Sequence, residues 1–157
     1  MEKYLLESIN LIEPRIKGCN IYLQQGKKIT SLLNPYEFLK TGLNLYGQDI
    51  ESGKRHYRDI TGFVQKAIIP FRTEKINLFF PTHADTNEAC IFIHYQFVNK
   101  VIIKNKSSLI LFKDGTCFET KTDIRILKKQ MLRCRKYLDL IKEREEKAYT
   151  ILKIEMF

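Results

Sequence analysis

The hydrophobic period of this chain changes once, close to Thr120. Before that point apolar residues come in short runs or alternate with polar ones, bounded by Gly, Pro, Asn and Asp, which is how β-strands read. After it, Ile124, Leu127, Met131, Cys134, Leu138 and Ile141 recur at alternating spacings of three and four, continuing through Glu145 to Ala148 and Leu152. That is one face of an amphipathic helix. Strands first and a long helix last predict an α+β fold: a mostly antiparallel β-sheet followed by a C-terminal helix from about Asp123 to Ala148. Residues 1–120 are then a β-rich core, and 121–157 a helical segment for packing, self-association or partner contact. Only about three heptads are present, and Cys134 and Glu145 dilute the seam, so packing on the chain's own sheet is favoured over a coiled coil.

Within the core, INLIEP, CNIYLQQ and KKITSLL read as strands, with Gly26 placed to turn the second into the third. Asn34-Pro35 is a helix start, a capping side chain followed by a residue whose missing N–H is not needed in the first turn. Tyr36, Leu39, Leu43 and Tyr46 then share one side of a short helix near 35–46, stopped at Gly47. From Gly47 to Gly62 three glycines are mixed with polar and charged residues and no apolar period is visible, so this segment is expected to be a loop or an exposed arm. GFVQKAIIPF, KINLFFPT, CIFIHYQFV and KVIIKN read as further strands, and Asp114-Gly115 in SSLILFKDGTCFETKT signals a hairpin. His94, inside CIFIHYQFV, is expected to be a hydrogen-bonded structural residue rather than a ligand.

A chain of 157 residues can bury roughly 68–70% of its unfolded surface and needs no covalent staple. Cys19, Cys90, Cys117 and Cys134 form no C-x-x-C pair and are read as reduced core thiols. The acidic start MEKYLLESINLIEP lacks the pattern of a signal peptide, and no apolar run approaches the ~20 residues of a bilayer span. A cytoplasmic protein without membrane contact is expected.

Charge narrows the choice of partner. With 27 Lys and Arg against 18 Asp and Glu the formal charge is +9 at pH 7, which favours an anionic partner. THADTNEAC gathers His83, Asp85, Glu88 and Cys90, but its spacing matches no metal or acid–base motif, and nucleotide-binding and acyl-transfer signatures are missing. No catalytic site, metal or cofactor is therefore expected. The densest basic run is Lys54, Arg55, His56 and Arg58 between Gly53 and Gly62, extended by Lys66, Arg72 and Lys75. A second lies on the C-terminal helix, from Arg125 through Lys128, Lys129, Arg133 and Arg135 to Lys136. A cationic arm held between glycines suits the narrow, electronegative minor groove of A·T-rich DNA.

The block from YGQDIESGKRHYRD to ACIFIHYQF resembles the competence transcription factor ComK family. The likeness is carried in order by Tyr46-Gly47, Gly53-Lys54-Arg55, Ile69-Pro70, Leu78-Phe79-Phe80-Pro81-Thr82 and Cys90, and it covers roughly Ile9 to Glu119. Where the family carries a tryptophan after the cysteine, this chain has Ile91 and Phe92. The resemblance implies an activator of competence genes that binds paired AT-rich boxes of double-stranded DNA, largely through the minor groove. It also implies a homodimer or higher assembly on DNA, a nucleoid location, and an adaptor that delivers the protein to a AAA+ protease. On that reading Lys54, Arg55 and Arg58 enter the groove or touch phosphate, with His56 among the DNA-binding residues beside them, while Lys66, Arg72 and Lys75 anchor the backbone. The rival reading is a protein-interaction regulator that has kept the fold and binds a partner through the C-terminal helix.

Overall fold

The N-terminal runs form β1 (Ile9–Pro14), antiparallel to β2 (Cys19–Leu23), and β2 in turn is antiparallel to β3 (Lys28–Ser31). Gly26, at φ 83°, lies in the turn between the last two, as expected. The computed structural model describes residues 5–156. After β3 come α1 (Pro35–Leu45), α2 (Ile50–Thr61), β4 (Ile69–Arg72), β5 (Ile76–Pro81) and β6 (Phe92–His94). These are followed by β7 (Val98–Lys104), β8 (Ser107–Phe112), β9 (Cys117–Thr120), α3 (Ile124–Glu146) and a last turn, α4 (Ala148–Ile151). The α+β class, the antiparallel pairing and the long C-terminal helix all stand as read from sequence.

The strands form two sheets rather than one. Six lie in the order β3-β2-β1-β6-β5-β4, and three in the order β7-β8-β9. The division falls inside CIFIHYQFV, expected as a single strand: it leaves the large sheet after His94, makes a 3-10 turn over Tyr95–Phe97, and enters the small sheet at Val98. His94 stands at the break. Its imidazole is fully buried, with Nδ1 2.9 Å from the Ile9 carbonyl and Nε2 3.2 Å from Asn77 Oδ1, so it ties three strands together as a structural residue. The Asp114-Gly115 hairpin forms as predicted, and its carboxylate accepts from Asn10 Nδ2 at 3.0 Å and from the Gln25 amide at 2.8 Å. That clip fastens the small sheet to β1 and to the turn after β2.

Both faces of the large sheet are covered. Neighbouring residues of a strand point to opposite faces. Thus Leu78, Phe80 and Ile93 meet Ile110, Leu127, Cys134 and Tyr137, while Phe79 and Phe92 meet Leu6, Leu39, Leu43 and Ile50. Two-sided burial is why INLFFP reads as a continuous apolar run instead of an alternating one. α3 packs against β5, β7 and α2, so its stripe is taken up within the chain's own core. The seam is centred on Leu127, Gln130, Cys134, Tyr137 and Ile141. Of the four thiols, Cys19, Cys90 and Cys134 are buried; Cys117 is exposed, which corrects its reading as a core residue. Among the described residues no helix is long and apolar enough to cross a membrane.

Candidate nucleic-acid interface

The segment expected to be a flexible arm is instead helix α2, and its caps account for it. Asp49 accepts from the Ser52 amide at 2.9 Å and from the Ser52 hydroxyl at 2.7 Å, while Gly62 ends the helix at φ 76° with its amide on the Arg58 carbonyl. The buried side of α2 consists of Ile50, Lys54 and Tyr57, with Gly53 against Pro70 of β4. A Cβ at Gly53 would sit 3.2 Å from the Pro70 ring, so glycine here permits close helix-to-strand approach. A lysine and a glycine occupy two positions of the apolar stripe, which is why no helical period was visible.

Lys54 is consequently an anchor rather than a surface cation. It is 5% exposed, its ammonium meets Asp85 at 2.5 Å and Glu51 at 3.2 Å, and it lies 5.3 Å from the centre of the Tyr36 ring. Burial pulls its pKa down, but hydrogen bonds from the ammonium to Asp85 and Glu51 outweigh this and hold it above the ordinary lysine value. The pair fastens α2 to the connection between β5 and β6.

His56 also acts within the fold. Its Nδ1 is hydrogen-bonded to the Tyr137 hydroxyl at 2.7 Å, linking α2 to α3. Its pKa is lowered, by desolvation first and then by the charges of Arg72 and Arg144. His56 itself stands exposed on α2, with its ring tied to the Tyr137 hydroxyl. Arg55 likewise stands on the exposed face of α2.

GFVQKAIIPF, expected to be a strand throughout, is extended only from Ile69; residues 62–67 form a loop whose carbonyls are gripped by side chains. Arg58 Nε donates to the Val64 carbonyl at 3.2 Å, Arg133 Nη1 to that of Gln65 at 3.3 Å, and Gln130 Nε2 to that of Lys66 at 3.0 Å. The Arg133 guanidinium also lies 4.8 Å from the centre of the Phe63 ring. Lys66 takes a left-handed φ of 52° in this loop.

Arg72 closes β4, where its backbone is held at both ends by Gln48, and its charge acts on both His56 and Tyr137. Lys75 is in the following turn. Arg72 and Lys75 border a shallow groove of about 440 Å³ against Ile141 and Lys142 of α3, which Glu74 and Glu145 also line. Around the α2–α3 seam the cations thus fall in two groups, a band of Arg58, Lys66 and Arg133 at the 62–67 loop, and Arg72 with Arg144 near His56. Arg133 belongs to this band through the loop it holds, which its place in a charged helical run did not reveal. Among the described residues, ion pairs engage Lys54, Lys104, Arg125, Arg135 and Lys147, and none engages Arg55, Arg58, Lys66, Arg72, Lys75 or Arg133. No group of three or more His, Cys, Asp or Glu among them is placed to hold a metal ion.

A family model described as ComK protein matches residues 7–146, extending the likeness read from sequence through the whole of α3. No curated protein and no solved structure matches the chain. With nearly the whole chain matched and the motifs in order, the chain belongs to the ComK family, a family of competence transcription factors.

Proposed function

We propose that this protein is a sequence-specific DNA-binding activator of competence genes that reads AT-rich boxes largely through the minor groove. The observation that carries the reading is the row of cations without carboxylate partners along α2, the 62–67 loop and α3. A guanidinium satisfied by a carboxylate of its own chain gains little from phosphate; one that is not remains available for it. Arg55, Arg58 and Arg133 are the groove or phosphate contacts in this proposal, and Lys66, Arg72 and Lys75 track the backbone. Lys54 anchors α2 beneath them, and His56, exposed on the same helix, ties it to Tyr137 of α3. Assembly as a dimer or higher oligomer on paired boxes, a cytoplasmic, nucleoid-associated location and adaptor-dependent proteolysis belong to the same proposal. They are supported by family membership.

Electrophoretic mobility shifts on AT-rich and GC-rich duplexes of equal length test it. Four to six phosphate contacts give a log affinity falling with log salt at roughly −0.9 per contact. Arg55→Ala combined with Arg58→Ala is expected to weaken binding several-fold and reduce the slope by roughly 2 without changing the circular dichroism spectrum. Salt-independent binding, or a double variant with wild-type affinity, would refute the assignment.

One observation favours a second role. Tyr149, Ile151, Leu152, Ile154 and Met156 all lie exposed in and after α4. The α3 stripe is occupied inside the fold, so partner binding, if it involves the C-terminus, falls to this tail. Truncation after Lys147 that leaves DNA affinity intact but abolishes association with a regulator would separate the two activities.

A further inference from the structure

Residues 62–67 are held unusually well for a connection. Gly62 turns the chain in the left-handed region, the Thr61 hydroxyl accepts from the Phe63 amide at 3.1 Å, and Phe63 packs near Tyr57 beneath the Arg133 guanidinium. The next three carbonyls are each taken by a side chain: Val64 by Arg58, Gln65 by Arg133 and Lys66 by Gln130. Gln130 is itself 1% exposed and also donates to the Pro81 carbonyl at 2.7 Å, so the loop is tied to the core. All this geometry holds out one aliphatic side chain. Val64 is 67% exposed, with a guanidinium bonded to its own carbonyl and another to the carbonyl of the next residue.

Resting on the DNA-binding reading above, we infer that Val64 is a specificity residue that presses on the floor of the minor groove and rejects G·C pairs. The floor of an A·T tract offers only the acceptors adenine N3 and thymine O2, whereas a G·C pair adds the guanine 2-amino donor. The two flanking arginines carry donors for acceptors. The valine methyl groups carry none and accept nothing. Against A·T the arrangement is complementary; against G·C the valine covers an amino group and leaves its N–H without an acceptor, which is penalised. A groove about 6 Å wide admits a branched side chain of this size edge-on. The readout is thus exclusion of a donor by an apolar tip, with affinity supplied by the cations beside it.

The test uses the full-length protein and three duplexes identical except at the box: A·T, G·C, and inosine·cytosine, which lacks the 2-amino group and presents an A·T-like minor groove. The wild-type protein is expected to bind the inosine duplex within about threefold of the A·T duplex, and the G·C duplex about tenfold more weakly per substituted pair. Val64→Asn, whose amide oxygen accepts from the amino group, is expected to bring the G·C penalty below about threefold while A·T affinity changes little; Val64→Ala is expected to fall between. Unchanged discrimination in Val64→Asn, or in Val64→Ala if the asparagine variant binds nothing, overturns the inference and leaves the DNA-binding reading in place. Inosine bound as poorly as guanine likewise overturns it, because the amino group is then not what is read. If the wild-type protein binds none of the duplexes, the DNA-binding reading fails, and this inference with it.

Discussion

Lys54→Met keeps a side chain of similar length and removes the ammonium that Asp85 and Glu51 share and that lies over the Tyr36 ring. Removing one member of a fully buried ion pair costs about 3–5 kcal/mol, because the other is left unpaired. Here the lysine side chain is 7% exposed, but that of Asp85 is 19% exposed and that of Glu51 53%. Both carboxylates regain water more readily than deep ones would, so a loss of about 2–3 kcal/mol is expected. For a chain of this size that is a fall in Tm of roughly 5–10 °C. Urea denaturation at pH 7 measures the loss directly, and a double-mutant cycle with Asp85→Asn isolates the pair, with a coupling of about 1–2 kcal/mol expected. The same variant discriminates anchor from arm. Because the ammonium faces inward, Lys54→Met is expected to leave the salt slope of DNA binding unchanged, whereas loss of a phosphate contact lowers it by about 0.9. A stability within about 0.5 kcal/mol of wild type, or a reduced salt slope in a folded variant, would refute the reasoning.

His94 makes stability pH-dependent: burial lowers its pKa from 6.5 to about 4, so between those values the unfolded chain binds the proton and the folded chain does not. Stability from this group is complete above pH 6.5 and is lost toward pH 4 at up to about 1.4 kcal/mol per pH unit; urea melts of His94→Asn across that range are expected to lack this slope, and a curve parallel to wild type would assign it to another group. Gly53→Val is expected to cost about 1–3 kcal/mol by overpacking Pro70, while in Gly53→Ala roughly 1 kcal/mol of gained helix propensity offsets the milder contact. Thermal unfolding of the two variants checks the difference, and a valine variant as stable as the alanine one would show that α2 does not rest on β4 at this point.

The elements legible in the sequence are those whose cause is local. Asn34 accepts from the Glu37 amide at 2.9 Å and Pro35 opens α1, two signals within four residues of the helix they start. Asp114-Gly115 turns β8 into β9, and the three-and-four spacing after Thr120 yields α3. α2 was hidden although Asp49 and Ser52 provide a cap, because Gly53 and Lys54 interrupt its apolar stripe. Both become intelligible only beside Pro70 and Asp85. The separation into two sheets was equally invisible, since the apolar alternation of CIFIHYQFV runs on through the 3-10 turn that divides it.

The basic character of the chain was fixed by composition, but which cations remain open to a partner was not. Lys54 finds its carboxylate 31 residues away, His56 its tyrosine at 81, and Arg133 its loop carbonyl at 68. Periodicity and capping act between covalent neighbours and leave a record in the order of residues. Neutralisation of a charge depends on which distant group the fold brings within about 3 Å, so only the tertiary structure separates the lysine that holds the helix in place from the arginines that line its surface.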